Sequence, residues 1–113
     1  MDACHNNGIT PILLTQATLV SWDNSQEERG RIQHALKYSK LTHEGLVRAY
    51  EEIYEILHSV GKKKDALILD LASHLNGQGD LFEDAVHTTR KGSEEFARVV
   101  AQFLVKISDE QAK

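Results

Sequence analysis

The segment THEGLVRAYEEIYEILHSVG, which runs from Thr42 to Gly61, decides how the rest of this chain must be arranged. Its large apolar residues are spaced by four, three, four and three positions, which places them on one side of an α-helix. These residues are Leu46, Tyr50, Ile53, Leu57 and Val60. Four further apolar residues widen this side of the helix: Val47, Ala49, Tyr54 and Ile56. Because so apolar a helix needs cover from its neighbours, the segment predicts a helix over 42–60 inside a helical bundle.

Capping signals divide the rest of the chain into shorter helices. Ser25 and Glu28 have the spacing of a capping box, and Gly61 can adopt the left-handed conformation that ends a helix. A Lys-Gly-Ser stretch at 91–93 indicates a break, after which its serine caps a last helix. We therefore expect one all-α domain over 9–110 that follows a disordered tail. The expected parts are a tail over 1–8, an apolar arm over 9–22, and helices over 25–40, 42–60, 64–76, 80–90 and 93–108.

The arm over 9–22 has no clear secondary structure from its sequence. Thr10-Pro11 is typical of the first residues of a helix, whereas the stretch over 17–22 is rich in β-branched and aromatic residues. A strand here would need a second copy as its partner, because the chain contains no second convincing strand. The pattern leaves strand, helix and coil open, and we expect the arm to pack onto the bundle.

The last predicted helix, over 93–108, has the cleanest apolar pattern in the chain. Its apolar residues are Phe96, Val99, Val100, Phe103, Leu104 and Ile107. We expect this helix and the 42–60 helix to pack against each other at the centre of the bundle. Their apolar sides are wider than three thinner helices can cover, so we expect a homodimer, since two-fold dimers are the commonest oligomers.

The composition argues against several classes of function. The 113 residues carry a formal charge of −4 and no basic run beyond Lys62–Lys64, which argues against a nucleic-acid binder. The longest aliphatic run, Ile12–Leu14, is too short to cross a membrane, and the N-terminal residues lack the features of a signal peptide. Cys4 has no second cysteine to pair with, which fits a reducing compartment. We therefore expect a soluble cytoplasmic protein that binds neither nucleic acid nor membranes.

Residues 51–55 form the pattern EExxE, with Glu51, Glu52 and Glu55 on one predicted helix. This pattern resembles the first half of the metal site in MazG-type nucleoside triphosphate pyrophosphohydrolases, which are all-α and dimeric. The resemblance implies that these glutamates, with Asp70, hold magnesium against substrate phosphates, and hard oxygen ligands suit that ion. The second motif of the family, ExxD, is missing, because the next predicted helix offers Asp65 and Asp70, five positions apart.

Three acid–histidine pairs have spacings that place both groups on one side of a helix. They are Glu55/His58, Asp84/His87 and Asp70/His74. Helical bundles bind di-iron centres through Glu-x-x-His motifs on two helices and single glutamates on two others. The additional inward-facing glutamates are not evident in this chain. Whether any of these pairs holds a metal therefore stays open.

The sequence predicts no nucleophile–base–acid arrangement, because Cys4 lies in a polar tail and the serines lie at helix caps. Our preferred hypothesis is a regulatory module without enzymatic activity or cofactor, which forms a homodimer and binds another protein through surplus apolar surface. The expected interface residues are Trp22, Leu46, Tyr50, Ile53, Leu57, Phe96, Val100 and Phe103. The alternative is a MazG-like, magnesium-dependent pyrophosphohydrolase that uses Glu51, Glu52, Glu55 and Asp70.

Overall fold

The computed structural model describes residues 1–112, and 63% of the protein is helical, which confirms the predicted all-α class. The described elements are α1 (Asp2–Asn6), β1 (Ile12–Leu14), α2 (Gln26–Ser39), α3 (His43–Lys63), β2 (Leu67–Leu69), α4 (Leu71–Leu75), a 3₁₀ turn (Gly79–Leu81) and α5 (Arg90–Ala112). The tail over 1–8, which we expected to be disordered, contains α1. Within the described chain, no helix combines the length and the apolar character needed to cross a membrane.

Side-chain caps start α2 and α3 where the sequence places them. Glu28 N–H donates to Oγ of Ser25 at 3.1 Å, and Ser25 N–H donates to the Glu28 carboxylate at 2.9 Å. Thr42 caps α3 by accepting a hydrogen bond from Gly45 N–H at 3.0 Å. Both caps satisfy backbone N–H groups that the first helical turn leaves without partners, so these boundaries follow from local chemistry.

α3 continues past Gly61 and ends at Lys63, so the predicted end at this glycine is wrong. Gly61 is buried, and a β-carbon added there would overlap Cδ1 of Ile68 in β2. The absence of a side chain lets the last turn of α3 approach the strand closely. Gly61 therefore allows close packing of α3 on β2. Its backbone does not adopt the left-handed conformation of a helix end.

β1 and β2 form a parallel pair, with α2 and α3 in the long connection that parallel pairing requires. The register joins Ile12 to Leu67, Leu13 to Ile68 and Leu14 to Leu69. The arm over 9–22 therefore contains a strand, and its partner lies in the same chain. The predicted helix over 64–76 is wrong, because residues 67–69 extend to pair with β1 and helix remains only in α4.

The two long helices pack on different parts of the protein. Successive side chains of a strand point to opposite faces. Ile68 packs against Gly61 of α3, whereas Leu69 lines a hollow together with Val99 and Phe103 of α5. α3 packs mainly on α2 and β2, and α5 packs on the 3₁₀ turn and α4. The expected central pairing of the 42–60 and 93–108 helices is therefore wrong, because each of them packs mainly on elements other than its expected partner.

The most deeply buried side chains belong to the segment after β1, to α2 and to the segment after α4. Leu19, Ile32, Leu81 and Phe82 are almost fully buried, and Phe82 packs edge-on against Phe96. Phe82 also forms an isolated antiparallel bridge with Thr88, which turns the chain between them into a loop. The predicted helix over 80–90 is wrong because burying Phe82 in this extended conformation competes with helix formation.

α5 begins at Arg90, three residues before the predicted start at 93. Thr89 takes the capping role expected of Ser93, since its Oγ1 accepts a hydrogen bond from Gly92 N–H at 3.1 Å. A β-carbon at Gly92 would overlap the carbonyl oxygen of Leu81. Gly92 therefore does not break the helix, and instead it lets the first turn of α5 sit directly against the preceding loop.

Candidate functional site

Asp84 and His87 form a hydrogen-bonded pair on the loop between the 3₁₀ turn and α5. His87 Nδ1 lies 2.8 Å from Oδ2 of Asp84 and 3.1 Å from its Oδ1. Because an ionised carboxylate only accepts hydrogen bonds, Nδ1 carries a proton and donates it, which leaves Nε2 as the lone-pair nitrogen of the neutral ring. The His87 side chain is 75% exposed. Within residues 1–112, Nε2 has no hydrogen-bond partner, so it can act on a bound molecule.

The backbone fixes the Asp84 carboxylate in place. Its Oδ1 accepts hydrogen bonds from the N–H groups of His87 at 2.8 Å and Val86 at 3.0 Å. Hydrogen bonds lower the pKa of Asp84 to about 2. The bond from the backbone N–H of His87 has the largest effect, followed by the bond from the backbone N–H of Val86 and by the imidazole of His87. The carboxylate is therefore ionised at neutral pH. It fixes the tautomer and the orientation of His87, as the aspartate of a catalytic triad does for its histidine.

Backbone hydrogen bonds hold the loop that carries this pair. Glu83 N–H donates to the carbonyl of His87 at 2.8 Å, and Thr89 N–H donates to the carbonyl of Leu81 at 2.9 Å. At the centre of the loop, Leu19 N–H donates to the carbonyl of Ala85 at 2.9 Å. Because the ends and the centre of the loop are all bonded, the fold presents the pair on a fixed support.

Arg31 of α2 supports the start of the same loop. Its Nη1 donates hydrogen bonds to the carbonyl oxygens of Gly79 at 2.8 Å and Phe82 at 2.6 Å. Its Nε donates to the carboxylate of Glu27 at 2.9 Å. Sequence periodicity places Arg31 on the polar side of α2, and no local signal reveals partners 48 and 51 positions away. Sequence reasoning therefore missed this residue.

A small hollow lies beside the pair. Its volume is ≈ 120 Å³, and its lining residues are Arg31, His34, Ala35, Asp84, Ala85, Val86 and His87. This volume is several times the roughly 10 to 15 Å³ that one water molecule needs, so the hollow can hold a small molecule. A larger hollow of ≈ 560 Å³ is bordered by α5 alone and brings no groups of different elements together. The hollow beside His87 therefore combines a titratable pair with room for a ligand.

The acidic residues of the MazG-like pattern do not come together. Oε1 of Glu51 accepts a hydrogen bond from Trp22 Nε1 at 2.6 Å, and Oδ1 of Asp70 accepts one from Thr15 Oγ1 at 2.9 Å. Asp70 also caps α4, because residues 64–69 do not form the helix on which we placed it. In the described chain, no group of three or more His, Cys, Asp or Glu side chains could hold a metal ion. The predicted set of Glu51, Glu52, Glu55 and Asp70 is therefore not assembled.

The three acid–histidine pairs have different outcomes. Asp84 and His87 are in contact, but they lie on a loop and not on the helix that the spacing predicted. Nε2 of His58 lies 3.7 Å from Oδ2 of Asp70, and neither Glu55 nor His74 takes part in that contact. The i, i+3 spacing was therefore a useful signal for Asp84 and His87. The loop backbone, which a helix could not supply, creates their geometry.

Most of the expected interface residues pack inside the protein. Leu46 is buried in the core, and four others pack partly buried against it: Tyr50, Phe96, Val100 and Phe103. Trp22 is 44% exposed, but its indole is held against α3 by Glu51 and lies under Arg48 at 5.4 Å. Ile53 and Leu57 are the predicted residues that remain on an accessible apolar surface.

This surface, which we call the α3 apolar face, lies on the second half of α3. Ile53, Ile56 and Val60 are 52%, 62% and 38% exposed. They border a shallow hollow of ≈ 360 Å³ whose full lining is Met1, Leu13, Ile53, Ile56, Leu57 and Val60. Single exposed apolar residues are common, whereas a continuous group on one helix is typical of a surface that another molecule covers.

No protein-family description, no curated protein and no solved structure shows a significant similarity to this chain. The Asp84–His87 pair and the α3 apolar face are the two features of the described chain that can act on another molecule.

Proposed function

We propose that Asp84 and His87 are the orienting acid and the general base of a hydrolytic centre that acts on acyl compounds such as esters. The observation that carries this proposal is the 2.8 Å contact between His87 Nδ1 and the Asp84 carboxylate on a firmly held, exposed loop. A histidine oriented in this way through Nδ1 presents Nε2 to a substrate, which is the working arrangement of a base in acyl transfer.

The chemistry assigns one task to each residue. Nε2 of His87 takes the proton of the nucleophile as its oxygen attacks the substrate carbonyl, and the ring later returns that proton to the leaving oxygen. Asp84 stabilises the positive imidazolium that exists between these two transfers. In the described chain, no hydroxyl or thiol side chain forms a hydrogen bond with His87. The nucleophile in this proposal is therefore a water molecule, whose oxygen ends in the acid product while the leaving oxygen takes the proton from His87.

Hydrolysis of p-nitrophenyl acetate tests the proposal, with free imidazole at the same concentration as the reference. We expect His87→Ala and Asp84→Asn each to lower kcat/KM at least about 10-fold, since general bases contribute roughly 10²- to 10⁴-fold. His74→Ala, which removes an exposed histidine from α4, is the matched control and should leave the rate unchanged. The proposal fails if His87→Ala and His74→Ala have equal rates, because the activity would then be that of any surface imidazole.

A second candidate function is a regulatory homodimer that binds another protein, and the α3 apolar face favours it. Ile53 and Leu57 on this face are the expected contact residues, together with Trp22, which is 44% exposed and whose indole donates a hydrogen bond to Glu51 of α3. A single cysteine supports a cytoplasmic setting. Sedimentation equilibrium from about 10 µM to 1 mM protein tests self-association, because a dimer with a dissociation constant on the order of 10 to 100 µM changes its apparent mass across that range. A constant monomer mass would refute the homodimer.

A further inference from the structure

We propose that a second copy of this chain docks on the α3 apolar face, with the two α3 helices antiparallel across a two-fold axis. This inference rests on the homodimer candidate and specifies its geometry. A two-fold axis makes each copy present the same surface to the other, so the face must be complementary to itself when it is turned around. Both the apolar residues and the charged residues of α3 fit this requirement of self-complementarity.

The apolar part of the face extends beyond one helix. Ile53, Ile56, Leu57 and Val60 follow each other at intervals of three, one and three positions, the spacing of a helix seam that packs on another helix. Leu13 of β1 continues this surface onto the strand pair, and the described part of the chain gives β1 a neighbour on one side only. An apolar helix face beside an unpaired strand edge is a surface that proteins generally cover.

Charged residues at the two ends of the face make a second copy the best occupant. Glu52 and Lys63 are eleven positions apart, which is close to three helical turns, so both lie along the same edge of the face. Both are exposed, and neither forms an ion pair within residues 1–112. An antiparallel copy places each Glu52 opposite Lys63 of the other copy, whereas a two-fold parallel copy would put these residues on opposite edges of the interface and form no Glu52–Lys63 pair.

The size of the face predicts a weak dimer. Stable interfaces involve roughly 20 to 30 residues on each partner, whereas the α3 apolar face and its charged edge comprise eight: the six lining residues, Glu52 and Lys63. We therefore expect a dissociation constant on the order of 10 to 100 µM, and the dimer should weaken at high salt because the attraction between exposed charges is screened. The experiment consequently needs protein concentrations up to about 1 mM.

Sedimentation equilibrium of charge-reversal variants of the full chain tests this geometry. Glu52→Lys should weaken the dimer about 10-fold, because it places two pairs of lysines together across the axis. The double variant Glu52→Lys/Lys63→Glu should restore the dissociation constant to within about 3-fold of the original. Glu55→Lys, which makes the same change farther round the polar side of α3, is the matched control and should have no effect. Circular dichroism checks that each variant keeps its helix content.

A second pair of variants tests the apolar centre. Ile56→Asp should abolish the dimer, whereas Val105→Asp, on the exposed side of α5, should leave it intact. A dimer that forms with unchanged affinity in Ile56→Asp, or that the double charge reversal fails to restore, overturns the antiparallel geometry while the homodimer proposal survives. A wild-type chain that stays monomeric at about 1 mM overturns both.

Discussion

Replacing Arg31 with methionine should destabilise the protein through the loop that carries Asp84 and His87. The substitution keeps an unbranched apolar stem of similar length and removes the guanidinium. It therefore leaves the carbonyl oxygens of Gly79 and Phe82 without the donor that now lies 2.8 and 2.6 Å away. Both carbonyls are partly buried, so water replaces the lost donor incompletely.

The magnitude follows from the two bonds that are lost. Hydrogen bonds to charged groups contribute roughly 1.5 to 3 kcal/mol each, which gives about 3 to 6 kcal/mol for the pair. The Arg31 side chain is 26% exposed, so partial hydration of the freed carbonyls reduces the expected loss to about 2 to 4 kcal/mol. Glu27→Gln removes only the ion pair of Arg31 with a 70% exposed carboxylate, and should cost less than about 0.5 kcal/mol.

Urea unfolding followed by circular dichroism measures both variants, and amide hydrogen exchange locates the change. In Arg31→Met we expect faster exchange at the N–H groups of Glu83 and Thr89, which hold the loop closed. If the proposed centre is correct, Arg31→Met should also lower the hydrolysis rate, because the loop that carries Asp84 and His87 becomes less ordered. The reasoning is refuted if Arg31→Met costs no more than Glu27→Gln, because the two carbonyl contacts would then contribute nothing measurable.

Two further predictions concern packing and pH. Gly92→Ala should lower the free energy of unfolding by roughly 1 to 3 kcal/mol, because the added β-carbon meets a backbone carbonyl. At Gly30 the added β-carbon meets open space, so Gly30→Ala should stabilise α2 by up to about 1 kcal/mol. Urea titrations that rank these variants in the opposite order would contradict the packing argument. Burial is the main cause that lowers the pKa of His43, and the charge of Arg29 is the second. Below about pH 6.5 the unfolded chain therefore takes up a proton on this histidine before the folded chain does. Stability should be constant above this pH and fall below it. His43→Gln should remove this loss between pH 7 and 5, whereas the exposed His34→Gln should keep it, and thermal unfolding at each pH distinguishes them.

The sequence predicted those features that depend on contacts within one or two helical turns. The capping box of Ser25 and Glu28 and the cap at Thr42 lie within four residues of the backbone groups they satisfy. The apolar periodicity of residues 42–60 identified α3 for the same reason, since 3.6-residue spacing is a local property. The predicted all-α class follows from these local signals.

The candidate site could be predicted only in part. The spacing of Asp84 and His87 identified the two residues, but it placed them on a helix and suggested a metal. Their contact depends on the loop that follows Phe82. This loop forms because Phe82 is buried and because Arg31 binds the carbonyl oxygens of Gly79 and Phe82. Neither of these conditions has a signal in the sequence around residue 84, so the orienting role of the carboxylate was not foreseen.

The sequence by itself determined which segments are able to form helices, and the tertiary structure decided which of them do. Residues 67–69 lie in a segment with a helical apolar pattern, yet they extend because β1, 55 positions earlier in the chain, supplies a parallel partner. The sequence around Gly61 predicts a helix end. Gly61 lies inside α3, where the absence of a side chain makes room for Ile68 of β2. The physical reason is that capping and periodicity act over a few residues, whereas strand pairing and close approach depend on partners that folding brings from far away along the chain.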